Sequence, residues 1–323
     1  MRRLLPVVVC VALLALALAG AALAGNGGIA PLAPASPNEG GIRSIYWLIL
    51  GFSGFIFLLV EVALVVFIVR YRSRGRGREV EGPQVIGHTN LELAWTAGPV
   101  LILAVIAAFV FYKAGGIRNA PAATAGEQTI RIEGHQFYWE FVYPNGAISI
   151  NTLRVPVDRK IELDIVSADV AHSWWIPVLG GKLDAIPGQT NRESFRATKD
   201  GTFRGQCAEF CGIQHAAMIA YVEVLQQEDY DMWVAGRLSH PSELGRETFQ
   251  GVCATCHGLA GQGDIGPTIA QSPLLADRKA MTLLLRQGRN KMPAVGKTWS
   301  DAQLKATLDY LRQRFKAGGG SGG

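Results

Sequence analysis

The chain has 323 residues, 49% of them apolar, and a formal charge of +5 from 31 Lys and Arg against 26 Asp and Glu. That length holds two or three modules, and an excess no larger than one local arginine cluster leaves no basic surface for nucleic acid. The apolar excess gathers near the N-terminus. Met1 to Ala24 opens with Arg2 and Arg3, runs apolar from Leu4 to Leu23 and ends on small residues ahead of Gly25. This order predicts a secretory signal over residues 1–25, with an uncleaved third span as the alternative. Cys10 lies inside that run and is assigned no role.

Two further apolar segments, at about 45–69 and 93–112, are long enough to cross a bilayer and place a helical hairpin within residues 26–115. Between them stand Arg70, Arg72, Arg74, Arg76 and Arg78. The positive-inside rule makes this loop cytoplasmic, so everything after about Gly115 faces the periplasm or the outside of a bacterial inner membrane. Glu61 lies within the first span, where a carboxylate asks for a protein neighbour or a proton. Thr89 to Glu92 fits a T-x-x-E capping box opening the second span, with the carboxylate favoured by the helix dipole.

From 116 to 237 the pattern changes. Ile130 and Ile132, then Ile161, Leu163 and Ile165, alternate with polar residues, while Pro144-Asn145-Gly146 and Lys199-Asp200-Gly201 mark turns. Short strands at this density predict an all-β Greek-key sandwich or barrel. Its loops carry the most informative residues of the chain. GQCAEFCGIQHAAM holds Cys207, Cys211, His215 and Met218, and His172 lies upstream. Two thiolates, two imidazoles and a thioether are soft donors, which select copper or zinc over magnesium or calcium. A Cys207–Cys211 disulfide suits an exported protein but has no use for a histidine and a methionine just behind it. A zinc site on Cys207, Cys211, His215 and His172 is the stronger rival; Met218 favours electron-transfer copper.

Residues 238–241 read as a linker, with Pro241 ahead of a helical pattern around Leu244 to Phe249. CATCHG follows, and CxxCH is the attachment signature of a c-type haem: thioethers from Cys253 and Cys256, with His257 as proximal ligand. A redox dithiol and a zinc half-site are the rivals. Met292, beside Pro293 on a loop, is the expected sixth ligand, whereas Met281 in a helical run over 277–288 is expected in a core. A last helix opens with a capping box at Ser300 to Gln303 and carries Leu304, Leu308 and Leu311 on one face. Residues 318–323 form a Gly/Ser tail.

DVAHSWWIP, LGGKLDAIPGQTN and GQCAEFCGIQHAAM resemble the dinuclear copper (CuA) domain of cytochrome c oxidase subunit II. The hairpin with LELAWTAGP and the aromatic run GHQFYWEFVY are similar to the same family, over about 45–224. The resemblance implies a cupredoxin-like fold in which Cys207 and Cys211 bridge two coppers. His172 and Met218 then complete one copper, and His215 with the main-chain carbonyl of Glu209 completes the other. It also implies that the Glu209 carboxylate reaches a magnesium ion at the boundary with subunit I, and that Glu92, three residues before Trp95, stands at the cytoplasmic mouth of a proton path. Where many members have Trp for receiving an electron from a soluble cytochrome, this chain has Phe137, which puts that route in doubt.

Residues 242–317 resemble a small class I cytochrome c, with Gly258, Gly266-Pro267 and Met292-Pro293 in the expected places. The whole is then a multidomain membrane protein: a two-helix transmembrane hairpin, an all-β cupredoxin-like domain and an all-α cytochrome c domain. A subunit II with an attached cytochrome is the arrangement of caa-type oxidases, and a flexible tether would supply the donor at an effective concentration of order mM. The implied partners are subunit I with its haem and copper centre, subunit III, and an external cytochrome or quinol-oxidising donor. The rivals are a subunit of a CuA-containing nitric oxide reductase and an electron-transfer module without a catalytic partner. A quinol oxidase subunit resembles this fold but lacks the copper ligands.

Overall fold

The computed structural model describes residues 31–72, 84–122 and 126–315. The expected signal at 1–25, the arginines from Arg74 to Arg78 and the 318–323 tail lie outside the described residues. The chain divides into two compact units, one holding 40–117 and the other holding 34–39 with the residues from 118 onward.

The first unit is built on two helices, α1 (Pro37–Tyr71, 35 residues) and α2 (Thr89–Arg118, 30 residues). Their most apolar windows have mean hydropathies of 2.8 and 2.3, and neither window is buried against protein. At 1.5 Å per residue the helices are about 50 and 45 Å long, so each outruns the roughly 30 Å apolar layer and extends past the expected spans at both ends. Glu61 is exposed on α1. The start of α2 differs by one residue from the T-x-x-E reading. His88 precedes the helix, its Nδ1 accepts from the Leu91 amide at 3.3 Å, and Glu92 Oε1 accepts from the His88 amide at 3.1 Å. An imidazole nitrogen thus does the work expected of the Thr89 hydroxyl, and Thr89 becomes the first helical residue.

The second unit begins with a β module. Five strands form one sheet in the order β3-β2-β1-β5-β8: β1 (Glu127–His135), β2 (Tyr138–Val142), β3 (Ile148–Ile150), β5 (Lys160–Ser167) and β8 (Asn191–Arg196). A second sheet has the order β4-β10-β9, from β4 (Thr152–Pro156), β9 (Gly201–Gln206) and β10 (Ile219–Leu225). A short ribbon pairs β6 (His172–Trp174) with β7 (Leu183–Ala185). The β1–β5 and β4–β10 pairs are parallel and the rest antiparallel, which is the crossed-over cupredoxin-like arrangement. The expected alternation is observed: Ile130, Ile132, Ile161, Leu163 and Ile165 all point into the core. Trp139, Phe141 and Trp174 fill its centre, with T-shaped ring pairs at 5.3 and 5.5 Å.

Helix α3 (Gln227–Ser239) packs Tyr230 and Trp233 against this module, and α4 (Pro241–Thr248) starts after a single intervening residue, His240. The stretch read as a linker is therefore a junction between two helices, with Pro241 in the first turn where its missing N–H costs nothing. Arg237, on the last turn of α3, pairs with Glu247 of α4 and fastens the junction.

A helical module follows: α4, a π-type turn at Phe249–Cys253, α5 (Ala254–His257), α6 (Arg278–Gln287) and α7 (Asp301–Arg314). Leu304, Leu308 and Leu311 are buried as their spacing predicts, and Met281 lies in the same core. Half of the expected capping box is present: Ser300 Oγ accepts from the Gln303 amide at 3.2 Å. The Gln303 side chain does not return the bond. Its Nε2 donates instead to Glu140 Oε2 of the β module at 2.9 Å.

That bond belongs to a seam between the two modules, built from the two-residue period of β2. Trp139 and Phe141 face the β core, so Tyr138 and Glu140 face the opposite way, onto the helical module. The Tyr138 hydroxyl accepts from Trp299 Nε1 at 2.9 Å and donates to the Val295 carbonyl at 3.0 Å. Tyr138 and Ile150 are counted in the core of the helical module. Asn151 Nδ2 donates to the Gly251 carbonyl at 3.1 Å, and the Ile150 amide donates to Glu247 Oε1 at 3.0 Å.

Candidate redox centres

The first site is made where β6 meets the β9–β10 connection. β9 and β10 pair up to Gln206 and Ile219, and the Cys207 amide then donates to the Met218 carbonyl at 3.0 Å, closing a loop that carries Cys207, Cys211, His215 and Met218. A single turn at His215–Ala217 sets the imidazole within it. β6 is held alongside because the Gln206 amide donates to Trp175 O at 3.1 Å and the Ala208 amide to Ser173 O at 2.9 Å. A side chain at Gly205 would stand 2.2 Å from Trp175 O, so only glycine lets the strands come this close.

Through this approach His172 Nδ1 lies 3.9 Å from Cys207 Sγ, and the two sulfurs are 3.9 Å apart. His215 Nδ1 is 3.6 Å and Met218 Sδ 3.8 Å from Cys211 Sγ, while Cys207 Sγ is 3.2 Å from the Glu209 carbonyl. The sulfur separation is far beyond the roughly 2.05 Å of a disulfide, and both thiols are free. His172, Cys207 and Cys211 form the group of convergent metal-binding atoms among the described residues. Burial opposes ionisation of Cys207, yet the His172 imidazole and backbone groups at Ser173 and Glu209 outweigh it and bring the thiol down to about 7. Burial, then the neighbouring Cys207, pushes Cys211 the other way. Asp169, which sequence reasoning missed, holds His172 from behind: its Oδ1 is 2.8 Å from Nε2, leaving Nδ1 for the thiol side. Its position three residues before the histidine was the available signal, and carboxylates commonly orient metal-binding imidazoles in this way.

The second site runs from the end of the π-type turn through α5. Cys253 is buried and Cys256 half-buried, and burial pushes the Cys253 thiol up to about 12, so it is a neutral thiol at ordinary pH. His257 Nδ1 lies 2.6 Å from the Pro267 carbonyl, which fixes the ring and leaves Nε2 as the free nitrogen. A side chain at Gly266 would fall 2.8 Å from the same ring. Met292 is half-buried on its loop, against the core in which Met281 is enclosed. Both donor sets fit the groups their chemistry calls for: soft donors for copper, and a CxxCH run with an oriented histidine for haem.

An apolar helical hairpin, a cupredoxin-like module with converging thiols and imidazoles, and a helical module with CxxCH define a membrane-anchored electron-transfer subunit. Residues 28–112 match the family described as cytochrome c oxidase subunit II, transmembrane domain, and residues 147–225 its periplasmic domain. Residues 241–311 match cytochrome c oxidase, cbb3-type, subunit III. The chain is 32% identical to cytochrome c oxidase subunit 2 of Alkalihalophilus pseudofirmus, over 80% of this chain and 84% of that one. It is also 32% identical to a probable cytochrome c oxidase subunit 2 of Rickettsia bellii, over 63% and 82%. Among solved structures it is similar to the periplasmic domain of subunit II of cytochrome oxidase from Bradyrhizobium japonicum, at 33% identity, 37% and 96% coverage and a TM-score of 0.35. The chain belongs to the cytochrome c oxidase subunit II family, with a cytochrome c domain at its C-terminal side. It is an electron-transfer component of a terminal oxidase and works beside a subunit I in the membrane.

Proposed function

We propose that this chain is the electron-input subunit of a caa-type cytochrome c oxidase. Cys253, Cys256, His257 and Met292 would hold one covalent haem c. Cys207, Cys211, His172, Met218, His215 and the Glu209 carbonyl would hold a copper pair. The haem and the copper pair would each supply a one-electron couple; the chain would supply the residues that hold them and pass electrons on to subunit I, where oxygen is reduced to water and protons are translocated. The observation that carries this reading is the convergence of His172, His215, Met218 and the Glu209 carbonyl on two free thiols, six donors in all and more than a tetrahedral zinc site uses.

Glu92 would serve the mouth of a proton path, and Glu209 would join residues of subunit I around magnesium. Subunit III, an outside donor and a bacterial inner-membrane location with both modules on the outer side complete the proposed setting. The relatives carry the oxidase name, which favours oxygen over nitric oxide as the substrate of the complex. Metal analysis with optical and EPR spectra tests the reading: two coppers with a delocalised mixed-valence signal and one low-spin haem c per chain are expected. One zinc without that signal would overturn it.

A further inference from the structure

Across the seam, the bonds between Tyr138 and Trp299, Glu140 and Gln303, Asn151 and Gly251, and Ile150 and Glu247 join residues that hold no ligand role. One further contact is different in kind. Gln214 Nε2 lies 3.7 Å from Cys256 Sγ, the sulfur that becomes a haem thioether, and Gln214 is the chain neighbour of His215. Gln214 is 8% exposed, so its side chain is held against the haem-attachment run with little water between.

We propose that Gln214 is the bridging residue through which electrons pass from the haem-attachment run to the copper-ligand loop, held in place by the Tyr138–Trp299 seam. The inference rests on the reading of the two sites as haem and copper. Electronic coupling falls steeply across empty gaps and slowly along bonds. Here a single non-bonded step, from the Cys256 sulfur to the Gln214 amide, leads into a bonded path through the Gln214 side chain and backbone to the His215 imidazole. That imidazole faces Cys211. The one electron lost by the haem iron is the one gained by the copper pair; no bond forms and no proton moves. The residue contributes coupling and position.

The seam holds this contact closed in the structure. A tethered module would return to the contact only for part of the time. The helical module instead keeps Tyr138, Glu140 and Ile150 covered at 1%, 4% and 2% exposure, so undocking would expose two buried polar groups and an apolar patch together.

The test uses the purified oxidase complex and a flash that places one electron on haem c. Haem reoxidation and copper reduction are followed optically, with copper EPR, the haem spectrum and metal content recorded on the same samples. Gln214→Ala should slow the transfer by roughly tenfold or more, the scale of a lost positioning contact, with both spectra unchanged. Gln214→Asn should recover part of the rate. A Gln214→Ala rate equal to that of the unmodified complex would overturn the proposal. Should that variant lose copper, Gln303→Ala, remote from both ligand runs, decides. It should slow the transfer and make it depend on solvent viscosity, and an unchanged, viscosity-independent rate overturns the bridge. Copper or haem missing from the unmodified chain would refute the function reading instead.

Discussion

Replacing Tyr138 with Phe removes one oxygen atom from the seam and keeps the ring that packs in it. The hydroxyl accepts from Trp299 Nε1 and donates to the Val295 carbonyl, and Trp299 is 2% exposed. The Val295 carbonyl lies on a half-buried loop and can recruit water, whereas the indole N–H is left buried without a partner. The cost of such a group is about 1–3 kcal/mol, so we take about 2 kcal/mol for local opening of the seam. That corresponds to a roughly thirtyfold loss of amide-exchange protection in Tyr138–Val142 and Val295–Trp299, with protection of the distant β5–β8 pair unchanged. Adding Trp299→Phe removes the orphaned donor as well, so the double variant should fall short of additivity by about 1 kcal/mol. Unchanged protection in Tyr138→Phe, or strict additivity of the pair, would refute the claim that these two groups hold the modules together.

Three further outcomes follow from the geometry. Asp169→Asn withdraws the carboxylate behind His172, and copper affinity in competition with a chelator should weaken about 10–100-fold, as for other carboxylates supporting metal-bound histidines; unchanged affinity would remove Asp169 from the site. Gly266→Ala places a methyl 2.8 Å from the His257 ring, so haem content per chain should drop while the copper signal stays. Burial holds the Glu140 carboxyl above its usual 4.5, although the Gln303 hydrogen bond opposes this. A raised carboxyl favours the folded, protonated form, so its contribution is complete below about 4.5 and is lost as pH climbs through the raised value. Seam protection, corrected for intrinsic exchange, should therefore decline over that window, and Glu140→Gln should flatten the decline.

The clustered part of each candidate site was legible because it is local: Cys207 to Met218 lie on one loop and Cys253 to His257 on one short stretch, whereas the approach of His172 to Cys207 depends on β6 lying beside the β9–β10 connection. The alternating strands and the leucines of α7 were legible for the same reason, each being a period along a single element. The seam was not. Tyr138 and Trp299 are 161 residues apart, and β2 is buried on both faces, so YWEF shows no inside–outside alternation to say which face meets what. Gln303 illustrates the limit most directly. Its position three after a serine predicts a local cap, but a buried carboxylate on another module offered a stronger partner than the helix's own end. The 238–241 stretch is similar: Pro241 marks a helix start as well as a chain break, and the Arg237–Glu247 pair across that junction is invisible in the local pattern.

The location of Tyr138 and Ile150 within the helical module's core means that this module borrows part of its interior from its neighbour. The β2 face that carries Tyr138 must be present for the interior around Trp299 to be complete. The debt also constrains descent: such a cytochrome cannot be traded for an unrelated one by recombination at the junction, because the floor it stands on was shaped in the other module's sequence.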